Sequence, residues 1–467
     1  MIVAAQEYNS RRWLILAILS IGAFLSPLDF FIVNVALPDI KQAFGATDTA
    51  LQLVVAGYGL TYAVLVVTGG RLGDIFGRKR VFITGMLLFI IASAACAGAI
   101  SITWLIAARV LQGMGAAMLA PQVIATIRVI FPPAEQPRAM GVFGAVFGLA
   151  AIAGQLLGGL LINAHVFGYT WQSVFLVNLP AGLTCCVMAY ACMQESMAAA
   201  RPRLDIGGML LATLTLLLFI YPLVKGRELD WPWWIFACLL LSLVSGYILL
   251  RYEALLLRRQ QSPLIYIPLL QDPHFLKGAG VIYLYNHTAA FFLIFPYYLQ
   301  NGLQQDAFTA GLAVMPYAIG FFLAPLMSPR SGLTASQLTK GGMLLLAGGF
   351  LVSSFAMHVA PQPGWLLKVG LLLAGTGHGT VMPAMLRQIM ADVEVALAGQ
   401  AAGIISTAIQ VGSVTGTAVI GTLFFSLQEH FSYSRSIEIA FVALALVLFA
   451  GYLLAGNYSN SKKISNE

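Results

Sequence analysis

Fourteen long apolar runs, separated by short polar loops, constrain this chain more than any other feature. They lie at approximately 13–35, 50–71, 80–100, 103–126, 138–162, 172–192, 207–224, 233–252, 276–299, 308–328, 341–357, 365–386, 399–424 and 437–456. Each is long enough, or nearly so, to cross a hydrocarbon core of ~30 Å at ~1.5 Å rise per residue. Inside a bilayer the backbone finds no water, so only helices and closed barrels can span it. The runs lack the alternating polarity of barrel strands and therefore predict helices. The charge content agrees. Of 467 residues, 9% are charged and 59% hydrophobic, against roughly 25% and 45–50% in ordinary soluble domains. That is too little charge to cover a water-facing surface, which excludes a soluble globular enzyme. The same apolar content excludes disorder. The first run is too long for a cleaved signal and no small-residue cleavage site follows it, so it reads as a retained helix.

The basic residues orient the spans. With the N-terminus placed inside, nineteen Lys and Arg fall in inside loops or tails, among them Arg71, Arg78, Lys79, Arg80, Arg128 and Arg138. Five fall outside, at Lys41, Lys225, Arg227, Lys368 and Arg435, and Arg109 lies within a span. Cytoplasmic loops are enriched in Lys and Arg. Both termini are therefore expected in the cytoplasm, in a multi-pass protein of the cell (inner) membrane. The net charge of +7 is then a topology signal, and no nucleic-acid partner is expected; the partner the runs imply is the lipid bilayer.

No loop is long enough for a catalytic domain outside the membrane. No GxxxxGK[ST] phosphate loop, GxSxG elbow or HExxH pair occurs, which disfavours an ATP-driven pump and a membrane hydrolase. The five cysteines, Cys96, Cys185, Cys186, Cys192 and Cys238, sit in or beside apolar runs without CxxC spacing. They read as small hydrophobes, and no metal or cofactor is expected. What remains is a carrier driven by a gradient.

Two groups of residues carry chemistry within this frame. The first is the loop after the second run, GGRLGDIFGRKR at 69–80. Gly69, Gly73 and Gly77 recur every four residues and line one helix face, with Gly70 beside them, which permits close helix contact. Asp74 lies at the membrane edge next to Arg78, Lys79 and Arg80. A carboxylate there can pair with a cation or a helix N-terminus, and a pair that breaks and reforms is a conformational latch. The second group is charged residues in the membrane. Of 18 acidic residues, Asp29 alone lies well inside a run and Asp74 lies at an edge; the others map to loops or tails. Asp29 is about 16 residues, or ~24 Å, from the inner start of the first run, and Arg109 is about six residues, or ~9 Å, from the outer start of the fourth. In a ~30 Å core the two meet at one depth. Paired, they lower the cost of each charge; unpaired, the carboxyl favours its proton, so switching between these states couples a proton to movement. A static structural pair is the ordinary alternative. His287 and His378 are further proton-coupling candidates, although a lone membrane histidine is more often a packing residue.

The motifs also carry a resemblance. GRLGDIFGRKR closely resembles the loop signature of the major facilitator superfamily. LDFFIVNVALP at 28–38 and RVLQGMGAAM at 109–118 resemble the first- and fourth-helix motifs of its fourteen-span drug:proton antiporter family. Gly141, Ala150, Gly154, Gln155, Gly158 and Gly159 fall at the spacing of that family's fifth-helix motif, and 401–424 resembles its thirteenth helix. The resemblance implies an all-α membrane protein of two pseudo-symmetric six-helix bundles, 1–197 and 265–467, with two extra helices in a linker, 198–264. It also implies inverted three-helix repeats and a substrate held near the midplane between bundles. Gly154, Gly158 and Gly159 become its helix-packing motif. Three positions depart from the pattern. Phe31 stands where Thr is usual, and Gln155 and Ala150 replace a Pro and a Gly. The equivalent loop of the second half, from Ser328, lacks the Asp.

Neutral polar and aromatic residues supply candidates for the substrate cavity: Asn34, Gln112, Gln155, Asn286, Phe291, Met315, Tyr317 and Gln410. Aromatic and thioether side chains make adaptable apolar walls, though any one of these residues is more often helix-packing material. Glycines in 370–383, with Pro383, are expected to mark bends. The reading reached is a proton-coupled exporter of amphipathic, cationic or zwitterionic compounds that works by alternating access. The alternatives are an exporter of a specific metabolite, lipid or siderophore, a uniporter or symporter suggested by Gln155, and a sensor or scaffold. Its partners would be protons and small amphipathic substrates; the residues name no periplasmic adaptor.

Overall fold

The structure, a computed structural model, describes residues 11–464 apart from 165–167, 197–204, 227–228, 262, 306, 360–363 and 395–396, with a few helical side chains left undescribed. Fourteen helices long and apolar enough to cross a membrane follow one another. They are α1 (Arg12–Phe44), α2 (Asp48–Phe76), α3 (Arg78–Ala97), α4 (Ile102–Ile130), α5 (Gln136–Ala164), α6 (Ser173–Cys192), α7 (Ile206–Lys225) and α8 (Trp233–Arg258). Then come α9 (Pro273–Gly302), α10 (Ala307–Met327), α11 (Ala335–Val359), α12 (Trp365–Ala391), α13 (Ala398–Leu427) and α14 (Tyr433–Ile464). No strand occurs among the described residues. Helices α1–α6 pack on one another, as do α9–α14, and α7 and α8 form a hairpin lying on α2 and α13. The apolar side chains left exposed on α7 and α8, such as Leu210, Phe236, Leu240 and Leu243, are the surface a lipid phase would wet.

Lipid is as apolar as leucine, so burying leucine between two membrane helices gains little. Close approach at small residues supplies the contact instead. Helix α5 shows this on two faces. Toward its start, a Cβ on Gly141 would lie 2.4 Å from the Pro325 carbonyl oxygen of α10, and one on Gly144 would lie 2.6 Å from Pro383 of α12. Further along, a Cβ on Gly154 would lie 2.6 Å from Phe31 Cβ, and one on Gly158 would lie 3.1 Å from Val35 Cβ. One helix thus joins the second half at one end and α1 at the other. Gly159, expected in the same packing motif, does not belong to it: nothing lies within 4 Å of its Cβ position. It is one position past Gly158, so it points off the α1 face.

The seam between halves concentrates at the Arg-rich end. Arg128, at the C-terminal turn of α4, donates to the carbonyl oxygens of Ala391 and Val393 at 3.2 and 3.3 Å, a cation on the negative end of α12. Nearer the middle, Gln410 is hydrogen-bonded to Tyr62. Gln410 therefore ties α13 to α2. At the same end Arg12 donates twice to Glu135, at 2.7 and 2.6 Å, which holds the Glu135 carboxyl below the usual carboxylate range.

The glycines at 370–383 and Pro383, expected to mark bends, all lie within one helix. The glycine-rich stretch of α12 runs on as helix from Trp365 to Ala391. Its glycines are contact points: Cβ atoms on Gly375 and Gly377 would lie 1.8 Å from the Tyr317 carbonyl and 2.4 Å from the Leu346 nitrogen. The change in winding falls in α9, which tightens to a 3-10 turn at Asn286–Ala290 and widens to a π turn at Tyr298–Gly302. Departures of this kind are frequent at functional sites.

Replacing Gly154 with Val should force α1 and α5 apart and cost about 1–3 kcal/mol, whereas Gly159→Ala should leave stability unchanged or slightly raised. Thermal unfolding of the purified protein in detergent distinguishes the two; equal losses would reject this assignment of the α5 faces.

Candidate functional site

The chemistry-bearing residues gather in three places: a buried charge cluster, the loop at 69–80 and a cleft between the halves.

Asp29 and Arg109 are both 0% exposed and form an ion pair through Arg109 Nη1 and Asp29 Oδ2. Counting from opposite faces places the two at one depth, since α1 enters from one side and α4 from the other, and the packing of the helices brings them into contact. The rest of the cluster divides the two charges among several partners. Gln112, one helical turn from Arg109, donates to Asp29 Oδ1 at 2.7 Å and accepts from Arg109 Nη1 at 2.6 Å. Asn178 of α6 donates to Asp29 Oδ1 at 2.8 Å. Gln112 also reaches Ser93 of α3 at 2.7 Å. Arg109 Nε donates to the Val54 carbonyl at 3.0 Å, and the guanidinium carbon stands 4.4 Å from the centre of the Tyr58 ring. A buried charge is tolerated when it is paired and hydrogen-bonded, and here five helices of the first half contribute. Gln112, expected in the cavity, belongs to this cluster instead, because the carboxylate draws its amide inward. Asn178, Ser93 and Tyr58 were not foreseen. Asn178 was visible as a polar residue inside an apolar run, whereas nothing in the order of residues marked the other two.

The latch loop is organised by a glycine and a distant carboxylate. Gly77 breaks α2 from α3 with φ of +98°, a value side chains other than glycine rarely adopt. A Cβ there would also lie 2.3 Å from Glu195 Cδ. Glu195, just after α6, accepts from the backbone nitrogens of Lys79 at 3.1 Å and Arg80 at 3.3 Å. These are orphan donors at the start of α3, where a negative charge also meets the positive helix end. Arg78 donates to Asp74 at 3.1 Å, both buried, and Lys79 Nζ donates to the Tyr190 carbonyl at 2.7 Å. Gly70 is buried, and a Cβ on Gly73 would run into the Gln122 amide of α4. These contacts tie the loop to the first half. Glu195 had no sequence signal, since 115 residues or more separate it from the amides it caps.

The cleft lies between α1, α5, α9 and α10, an open-sided space of about 610 Å³ that includes solvent beyond its walls. Phe31 faces Phe292 across it, with ring centres 5.4 Å apart. Ile152, Leu156, Pro296, Met315, Tyr317 and Phe321 complete much of the wall, and no charged residue is among its lining residues. Met315 and Tyr317 thus line it. Phe291 does not. It is 0% exposed and stacked inside the second half against Tyr317, at 4.5 Å between ring centres, with Phe295 and Phe350 also in contact. Its neighbour Phe292 takes the wall position, since adjacent helical residues point about 100° apart. Asn34 is exposed and bonds the Phe30 carbonyl of its own helix at 3.0 Å. Asn286 bonds the Ile282 carbonyl at 2.7 Å and packs near Gly412 of α13; neither is among the cleft-lining residues. The side chain of Gln155 lies outside the described residues.

The two histidines part company. His378 is hydrogen-bonded through Nδ1 to the Tyr317 hydroxyl, so it stands one side chain behind the cleft wall, with its ring 4.2 Å from that of Phe321. His287 is buried and its Nδ1 lies 3.0 Å from the Tyr283 carbonyl oxygen. Its backbone fills the notch left by Gly416, a packing role.

Glu195→Ala should uncap α3 and cost about 0.5–2 kcal/mol, with faster hydrogen exchange at the Lys79 and Arg80 amides, while Glu195→Gln, which keeps an acceptor, should lose less. Unchanged exchange in the alanine variant would show that the cap is incidental.

A sequence profile of the Major Facilitator Superfamily matches residues 19–417. The chain is 35% identical over 428 residues to a probable actinorhodin transporter of Streptomyces coelicolor, covering 90% of this chain and 73% of that protein. It is 31% identical to the multidrug resistance protein Stp of Mycobacterium tuberculosis, over 89% of this chain and 76% of the other. It is 30% identical to the methylenomycin A resistance protein of Streptomyces coelicolor, over 94% and 90%. Among solved structures, the human organic anion transporter MFSD10 superposes with a TM-score of 0.67 at 15% identity, covering 96% of this chain and 100% of that one. The proton:xylose symporter XylE gives 0.64 at 13%, covering 95% of each. Helix order, cleft and profile agree, and the chain belongs to the major facilitator superfamily of membrane transporters.

Proposed function

We propose that this protein exports small amphipathic compounds, drugs and antibiotics among them, across the cytoplasmic membrane in exchange for protons, by alternating access. The observation that carries the cargo class is the cleft wall, aromatic and apolar with no charged lining residue. Such a wall takes up apolar and aromatic faces without a fixed partner for a charge, which puts neutral or weakly charged amphiphiles ahead of strongly cationic ones. Relatives named for multidrug resistance and for resistance to methylenomycin A support export as the direction. The enrichment of Lys and Arg at one end supports a cytoplasmic placement of that end and of both termini. With the seam closed there, the described conformation is the outward-facing one, and the α7–α8 hairpin lies against both α2 and α13.

Proton coupling is assigned to Asp29. Its carboxylate is held by Arg109, Gln112 and Asn178 inside the first half. Two positions further along α1, Phe31 forms cleft wall. A proton arriving at Asp29 removes one charge of the pair and leaves Arg109 buried without its counter-charge, a state that costs several kcal/mol. Movement of α1 relative to α4 relieves that cost and carries Phe31 with it. In this scheme His378, behind Tyr317, is a relay candidate on the opposite wall and His287 has no part. An exporter dedicated to one compound is the second reading, favoured by the relative named for actinorhodin alone; a panel of chemically diverse amphiphiles in an efflux screen separates it from broad specificity.

Asp29→Asn should abolish transport driven by a pH gradient in proteoliposomes while substrate counterflow, which needs no gradient, persists. Wild-type gradient-driven rates in that variant would remove Asp29 from the mechanism.

A further inference from the structure

The partners of Asp29 suit one protonation state of its carboxyl, and one of them can serve the other. Asp29 and Asn178 are both 0% exposed. Asp29 Oδ1 accepts from Gln112 Nε2 at 2.7 Å and from Asn178 Nδ2 at 2.8 Å, and Oδ2 accepts from Arg109 Nη1. All three described partners are donors. That suits a carboxylate, which only accepts. A protonated carboxyl has an O–H to donate and needs an acceptor, and a buried O–H without one is costly. The inference drawn from this rests on the assignment of proton coupling to Asp29.

Two of the three donors cannot change roles. A guanidinium has no acceptor atom, so Arg109 has nothing to offer an O–H. Gln112 is committed at both ends. Its Nε2 also donates to Ser93 Oγ at 2.7 Å, and its Oε1 accepts from Arg109 Nη1 at 2.6 Å and from the Cys96 thiol at 3.7 Å. Turning its amide over would set an NH2 group against the arginine. Asn178 differs. Its Nδ2 reaches Asp29 and, at 3.4 Å, Ser93 Oγ, while its Oδ1 is buried with no donor among the described residues. The last torsion of an asparagine side chain is broad and roughly two-fold. A half turn exchanges Oδ1 and Nδ2, gives up no bond made by Oδ1, and sets an acceptor within hydrogen-bond distance of Asp29 Oδ1. Ser93 suits both orientations, because a hydroxyl donates as well as accepts. The other ionisable groups around Asp29 are engaged or remote. The Tyr58 hydroxyl of α2 donates to the Ser26 carbonyl at 2.9 Å, and the Cys96 thiol of α3 is turned to Gln112. Helix α6 has no charged residue and α5 has only Arg138, in its first turn; on α1 itself the nearest, Asp39, is ten positions away. The remaining charged residues of α2, α3 and α4 lie near helix ends.

We propose that Asn178 accepts the hydrogen bond of protonated Asp29: as the proton arrives the Asn178 amide turns over, and the bond between α1 and α6 is kept with its direction reversed. The proton adds to Asp29 Oδ1 and stays there; no other covalent bond changes. The bond to Arg109 has no such second form. Protonation therefore divides the partners of Asp29 into one that stays, on α6, and one that is released, on α4. Gln112 remains with Arg109 through its Oε1. Asn178 thus supplies the acceptor that the protonated state needs and decides which helix α1 stays attached to once Arg109 lets go.

The test uses the full chain in lipid vesicles without cargo and reads infrared difference spectra between low and high pH. Protonated Asp29 should give a carboxyl carbonyl band that is missing in Asp29→Asn. In the unmodified sequence, made with asparagine isotope-labelled at the side-chain amide carbon, a labelled carbonyl band should shift with the same pH dependence, and the shift should vanish in Asp29→Asn. This measurement needs no change at Asn178. In Asn178→Leu the Asp29 carbonyl band should move to higher frequency, as for a carboxyl whose O–H has no acceptor. An asparagine band that stays still while Asp29 takes up its proton, or an Asp29 band at one frequency with and without Asn178, would overturn the role of Asn178 and leave the coupling assignment standing. The lack of any carboxyl band that depends on Asp29 would instead remove the coupling assignment, and Asn178 with it.

Discussion

In hydrocarbon a backbone amide has no water to turn to, and everything else in this protein follows from that. The amides are satisfied within each helix, so the chain crosses as fourteen helices and places its few charges at the ends or in internal partnerships. Because lipid removes the hydrophobic gain from helix association, close contact at glycine and bonds between polar groups take over. Helix α5 is the clearest instance. Gly141 and Gly144 meet α10 and α12, while Gly154 and Gly158 meet α1. The same helix is fixed to its own half at one end and forms the closing seam at the other, an arrangement suited to two halves that rock.

The charged residues left in the membrane sort by partner. Asp29 and Arg109 are neutralised within the first half by a network from five helices, which holds the carboxyl close to the cleft without exposing it. Asp74 and Arg78 neutralise each other across the break at Gly77, where Glu195 caps the next helix. Asp205 and Glu253 form a third group, in which both carboxyls accept from the Leu264 nitrogen. Each group draws on residues distant in the chain, so charge inside the protein is held by tertiary contact.

How much of this was legible in the sequence depends on the range of the forces involved. The helices and their number follow from local composition, since a run of apolar residues behaves alike whatever surrounds it. The Asp29–Arg109 contact was legible for a related reason: in a slab of fixed thickness, counting residues from each edge gives a depth, and only a few charges share it. The latch loop was legible through glycine spacing and clustered cations. Glu195, Ser93 and Tyr58 were not, because their roles come from contacts between segments distant in the chain. Phe291 and Phe292 show the limit of resolution. Both lie in one aromatic stretch, and a rotation of about 100° between adjacent residues decides which is core and which is wall.

The order of residues by itself determined a fourteen-helix membrane carrier with its basic end on one side, because hydropathy and positive charge act residue by residue against a planar solvent. The tertiary structure alone decided that Gln112 serves the ion pair and not the cavity, and that Gly159 packs against nothing. It likewise decided that the winding changes in α9 and not in α12, and that Glu253 turns inward to meet Asp205. Each of these depends on which helix stands beside which and at what rotation. That choice is made by the summed fit of many weak contacts, which no single stretch of the chain encodes.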